Sequence, residues 1–156
     1  MSMWIHVAAV VRVDSCGFIP DDEITDIFGK KCLWDDDVEV WHHMEDFPEQ
    51  YLPMGSEGSL NISIWHNPRE CDMPSTTVTI FGDLRDKYDP HEIADWFKEK
   101  CELCDKTFIV RQAVITVDAE YGETVTYTYD GLSETDDDEN ENEDTETDIT
   151  EDADNE

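Results

Sequence analysis

Apolar and polar residues alternate over 75–82 and again over 109–117. Between these stretches, apolar residues recur at three- and four-residue steps. A period of two predicts half-buried strands, and a period near 3.6 predicts a helix with one buried stripe. The segment 76–117 therefore reads as strand, helix, strand. Asp89 suits the N-cap of that helix, Pro90 its first position, and Glu92 falls three residues after the cap. Ile93, Trp96, Phe97, Cys101 and Cys104 form its buried stripe, with Asp95, Lys98, Glu99 and Glu102 on the wet side. Val78 and Ile80 before it, and Ile109, Ala113, Ile115 and Val117 after it, are the inward strand positions.

Residues 3–13 alternate in the same way. Ile5, Val7, Ala9, Val11 and Val13 form an apolar face that should meet the helices. Trp4, His6, Ala8, Val10 and Arg12 form a mixed, wetter one. Pro20-Asp21-Asp22 opens a short helix that Gly29 stops. Residues 38–41 are compatible with a short strand. Residues 42–58, punctuated by Pro48, Pro53, Gly55 and Gly58, read as a packed loop with one helical turn at most. Residues 59–66 form a strand with Leu60, Ile62 and Ile64 on one face, and Asn67-Pro68 ends it. A turn at 120–123 leads into an edge strand, TVTYTY, at 124–129. The resulting order predicts an α+β fold: a ferredoxin-like βαββαβ sandwich, an antiparallel sheet with helices on one face, plus an extra C-terminal edge strand. The other sheet face would carry Trp4, His6, Trp65, Thr77, Thr79 and Phe81.

Charge changes this picture. The 156 residues hold 41 acids and 10 bases, a formal −31. Of the acids, 14 lie in residues 132–156 with no base, which leaves 27 acids against 10 bases, or −17, on residues 1–131. Residues 132–156 have almost nothing to bury and are expected to form a disordered acidic tail behind a 1–131 domain. The excess on the domain itself costs stability through self-repulsion, so a function that uses it is worth seeking. No apolar run reaches spanning length, and residues 1–13 lack the basic start of a signal peptide. The expected location is the cytoplasm, with the five cysteines as free thiols.

Candidate chemistry is sparse. Cys101-x-x-Cys104 lies at the end of a helix beside Glu102 and Asp105, which disfavours a reactive thiolate. A zinc site there would need two further ligands, with Cys32, His66, Cys71 and His91 as candidates. His42-His43 cannot both point one way on a regular element. No nucleophile elbow, phosphate-cradling glycine loop or HExxH is present. The chain is read as a non-enzyme without a cofactor. Trp65 and Phe81 could stack bases on an open sheet face, but the scattered bases give no patch for phosphates, so direct nucleic-acid binding is excluded.

The same charge favours the reverse arrangement, in which carboxylates occupy a basic groove that a partner reserves for nucleic acid. The candidate clusters are Asp21, Asp22, Glu23 and Asp26; Asp35, Asp36, Asp37 and Glu39; Glu45, Asp46 and Glu49; and Asp83, Asp86 and Asp89, with Trp65 adding apolar contact. In size, charge and lack of catalytic motifs the chain resembles the small acidic proteins with which bacteriophages block host nucleic-acid-targeting defences, including anti-CRISPR and anti-restriction DNA mimics. That resemblance implies an inhibitor working in the host cytoplasm on a basic nucleic-acid-binding protein. Two other readings stand beside it: acidity serving solvation alone, and a metal-stabilised structural or regulatory module built on Cys101 and Cys104.

Overall fold

A computed structural model describes residues 2–32, 47–67, 74–87, 89–129 and 131. The expected strand at 38–41, the His42-His43 pair, Cys71 and the segment 132–156 lie outside them.

Among the described residues, seven strands and two helices follow in the order β1 (Trp4–Asp14), α1 (Asp21–Phe28), β2 (Met54–Gly55), β3 (Gly58–Ser59), β4 (Asn61–His66), β5 (Ser75–Arg85), α2 (Pro90–Thr107), β6 (Ile109–Ala119) and β7 (Thr124–Tyr129). A 3-10 turn, Pro48–Gln50, precedes β2. Five strands form one sheet in the order β4-β5-β1-β6-β7, and every neighbouring pair is antiparallel. The fold is α+β. β2 and β3 make a small hairpin of their own. Among the described residues no helix is long and apolar enough to cross a membrane.

The alternation read from the sequence decides which sheet face is covered. Ile5, Val7, Ala9, Val11 and Val13 of the central strand are all buried. They join Val78, Ile80, Leu84, Ala113, Ile115 and Val117 in one core. The helices close that core. α1 contributes Ile24 and Phe28, and α2 contributes Ile93, Phe97, Cys101 and Cys104. The Asp89 side chain accepts from the His91 N–H at 2.9 Å, which caps α2 as its sequence requires. α1 stops at Gly29, where φ is +116° and an added Cβ would lie 2.6 Å from the Tyr51 carbonyl carbon. The chain needs glycine there on both counts, because Lys30 immediately pairs with the 50–52 backbone.

β6 departs from the expected pattern. Arg12 pairs with Gln112 but Val13 pairs with Val110, so the ladder carries a bulge at Arg111. The bulge turns Val110 inward and leaves Ile109 exposed, whereas simple alternation put Ile109 in the core. It also aims Arg111 at Asp14, a buried carboxylate at the end of β1.

Candidate functional site

The second face of the sheet has nothing packed on it among the described residues. The pairing registers place Ser63, Thr79, Val10, Val114 and Thr128 in one row across all five strands. The next row is Asn61, Phe81, Ala8, Thr116 and Thr126. Val10 (44%), Phe81 (42%), Val114 (37%) and Trp65 (55%) keep enough exposure to show that this face meets solvent. Its centre is apolar and threonine-rich, and the exposed Asp83 and Asp118 flank His6 at one of its ends.

At the opposite end of the sheet, on its helix-covered side, stands α1. Asp21, Asp22 and Glu23 fill its first turn, where negative charge complements the unpaired N–H groups of the helix start, and Asp26 follows one turn later. Asp21 is tied down: its carboxylate accepts from His66 Nε2 at 2.5 Å, and His66 Nδ1 lies 3.1 Å from the Thr76 hydroxyl. The exposed Phe18 ring sits 4.7 Å from the His66 ring, and Trp65 is the next residue on β4. Strand pairing therefore brings Trp65, Phe18 and the α1 carboxylates to the same end of the sheet.

At the other end are Asp83 and Asp86. Seven residues of β5 separate Thr76 from Asp83, roughly 23 Å at the usual strand rise. Asp83 accepts from His6 Nδ1 at 2.6 Å. That hydrogen bond raises the His6 pKa above its ordinary 6.5 against a smaller opposing effect of desolvation, and the Asp83, Asp118 and Glu120 charges add to the rise. Asp86 has a structural task. It adopts φ +61°, its N–H donates to the Met3 carbonyl at 2.7 Å, and its carboxylate accepts from Ser56 Oγ at 2.6 Å. Asp89 is the α2 cap described above.

The structure thus divides the candidate acids. Asp22, Glu23 and Asp26 are exposed on α1, while Asp21, Asp83, Asp86 and Asp89 each hold a neighbour. Asp35, Asp36, Asp37, Glu39, Glu45 and Asp46 lie outside the described residues. Sequence reasoning missed Asp118 and Glu120, which strand pairing brings to the His6 end. Their signal was the alternation of β6 itself, Val117 in and Asp118 out. It also missed Asp14. Arg111 Nε donates to one Asp14 oxygen, and Arg12 Nε lies 3.9 Å from the other. Asp14 belongs to the fold, since removing one partner of a buried ion pair is strongly destabilising.

Cys101 and Cys104 face the core and are fully buried. Burial pushes both thiols up, Cys104 to about 12 and Cys101 further, with neighbouring acids adding to the effect. A metal would have to displace protons held that firmly. Among the described residues no group of three or more His, Cys, Asp or Glu side chains is placed to hold a metal ion.

A cleft of about 420 Å³ opens between α2 and residues 48–54, lined by Tyr51, Met54, Ile93 and Trp96. Its charged rim is mixed: Lys87 and Lys100 stand with Glu49, Glu92 and Glu99, and Lys87 Nζ lies 3.8 Å from Glu92. No single sign of charge is presented there.

Compared with known proteins, the chain matches no family model, no curated sequence and no solved structure.

Proposed function

We propose that this chain is a non-enzymatic acidic binding protein that occupies the basic nucleic-acid groove of a partner. The role is that of a phage inhibitor acting in the host cytoplasm on a nucleic-acid-targeting defence such as a CRISPR effector. The observation that carries the reading is where the acid sits. Residues 1–131 alone hold a formal −17; Asp83 and Asp118 are exposed at one end of an open, partly apolar sheet face, and the exposed α1 carboxylates stand at the other end of the sheet, on its helix-covered side. Negative charge at the rim attracts a basic groove over distance, while Trp65, Phe81 and Val10 offer contact area between the charges. The strand order also supports a finer description of the scaffold. β4-β5-β1-β6, with α1 after β1 and α2 after β5, reads as a ferredoxin-like sandwich to which β7 is added at the edge.

The test uses the α1 acids that support no neighbour. Asp22→Asn, Glu23→Gln and Asp26→Asn together should weaken partner binding by about ten-fold or more and flatten its salt dependence. The urea midpoint should move little, because exposed helix-start acids each contribute only about 0.3–1 kcal/mol. Unchanged affinity would remove α1 from the binding surface.

A further inference from the structure

We propose that the outer edge of β7 is a strand-pairing site for an extended, lysine- or arginine-rich segment of the basic partner. The inference rests on the acidic-binder reading above and adds to it a location and a mode of contact.

The ladder geometry defines the edge. β7 ends the sheet, and among the described residues no strand pairs with its outer side. The Ala119 N–H donates to the Glu123 carbonyl at 3.2 Å, so that pair is a hydrogen-bonded one. Antiparallel pairs alternate, and the inward groups therefore belong to residues 125, 127 and 129, opposite 117, 115 and 113. Thr124, Thr126 and Thr128 are left with their N–H and C=O groups pointing away from the sheet. They form a row of donors and acceptors about 13 Å long.

Natural edges of this kind are blunted by lysine, proline, a bulge or a covering element. β7 has none of the first three. TVTYTY contains no charge, proline or glycine, in a chain of which 33% is charged. Its outward threonines are exposed and suit strand pairing.

Charge selects the occupant. Exposed Asp118, Glu120 and Glu123 surround one end of β7. A second copy at −31 is repelled from such an edge, whereas a basic segment is drawn to it. The opposite edge of the sheet, β4, carries charge of both signs nearby, since Asp21 of α1 holds its His66. β4 follows Ser59, whose hydroxyl accepts from the Cys32 N–H at 2.8 Å, directly after Lys30 and Lys31. Main-chain pairing would supply affinity, and alternate partner side chains would lie on the open face beside the threonines.

The experiment titrates the full chain with a peptide of alternating lysine and threonine, and with a same-charge peptide whose alternate backbone nitrogens are methylated. The first should bind about ten-fold more tightly than the second and should slow amide exchange at Thr124, Thr126 and Thr128. Thr126→Pro removes one outward N–H without touching the β6 ladder and should erase the preference. Thr126→Lys, which places a charge on the edge and keeps every backbone group, should weaken the preferred peptide by the same route. Equal, salt-sensitive binding of both peptides would overturn the edge site while leaving the acidic-binder reading standing. Failure of both peptides to bind at low salt would overturn the two together. A full chain that sediments as a dimer, and becomes a monomer with Thr126→Pro, would assign the edge to a second copy and also overturn the proposal.

Discussion

The two faces of the sheet come from the same strands and obey different rules. On the inner face every position of β1 from Ile5 to Val13 at a step of two is apolar and buried. The outer face at the alternate positions of the same strand carries His6, Ala8, Val10 and Arg12. The inner face is fixed by packing, because any polar atom there would need a buried partner. The outer face is free of that demand. Its combination of exposed apolar side chains, threonines and carboxylates is therefore the part of the molecule available to a partner. The acid at the ends of the sheet costs the fold stability through self-repulsion.

Truncations should separate the faces first. Phe97→Ala, which empties a fully buried site between α2 and the sheet, should cost about 3–5 kcal/mol in urea unfolding. Phe81→Ala on the outer face should cost under about 1 kcal/mol, since no cavity forms. If the two losses were equal, something would cover the outer face. At the boundary between the faces, Arg111→Met leaves the buried Asp14 carboxylate with its weaker partner, Arg12. Unfolding should show a loss of about 1–3 kcal/mol, recovered in part when Asp14→Asn is added.

The smallest effect is a titration. His6 is half exposed and its folded pKa is raised by the hydrogen bond to Asp83, with Asp118 and Glu120 adding to the rise. A raised pKa means that the protonated ring is favoured in the fold. The contribution is complete below the unfolded value of 6.5 and disappears as pH climbs through the folded value. The stability difference between the natural chain and His6→Gln should therefore be measurable near pH ~5.5 and absent near pH ~8.5, at under about 1 kcal/mol because solvent screens the pair. A difference that grew with pH would show that the Asp83 contact does not favour the charged ring.

Much of the inner face was legible in the sequence because its signals are local. Asp89-Pro90 announces α2, and period-two alternation announces β1, β5 and the bounds of β7. The bulge at Arg111 was not legible, because it depends on how β6 is pulled against β1. That is why Ile109 was placed inside and Asp14 went unnoticed. The β2–β3 hairpin was hidden because two-residue strands carry no period, and Gly55 and Gly58 read only as loop breaks. Of the candidate binding site, the acids were visible as acids. Their division into partnered and exposed was not, since His6–Asp83 and His66–Asp21 join residues far apart in the chain.

Capture from a cell lysate on the immobilised full chain, eluted by a salt gradient with and without competing nucleic acid, tests the central claim most directly. The account predicts a DNA- or RNA-binding protein that leaves at high salt, is displaced by nucleic acid, and is lost with the combined Asp22→Asn, Glu23→Gln and Asp26→Asn variant. Basic proteins that leave at low salt, ignore competing nucleic acid and bind the variant equally well would contradict it, and would assign the acidity to solvation.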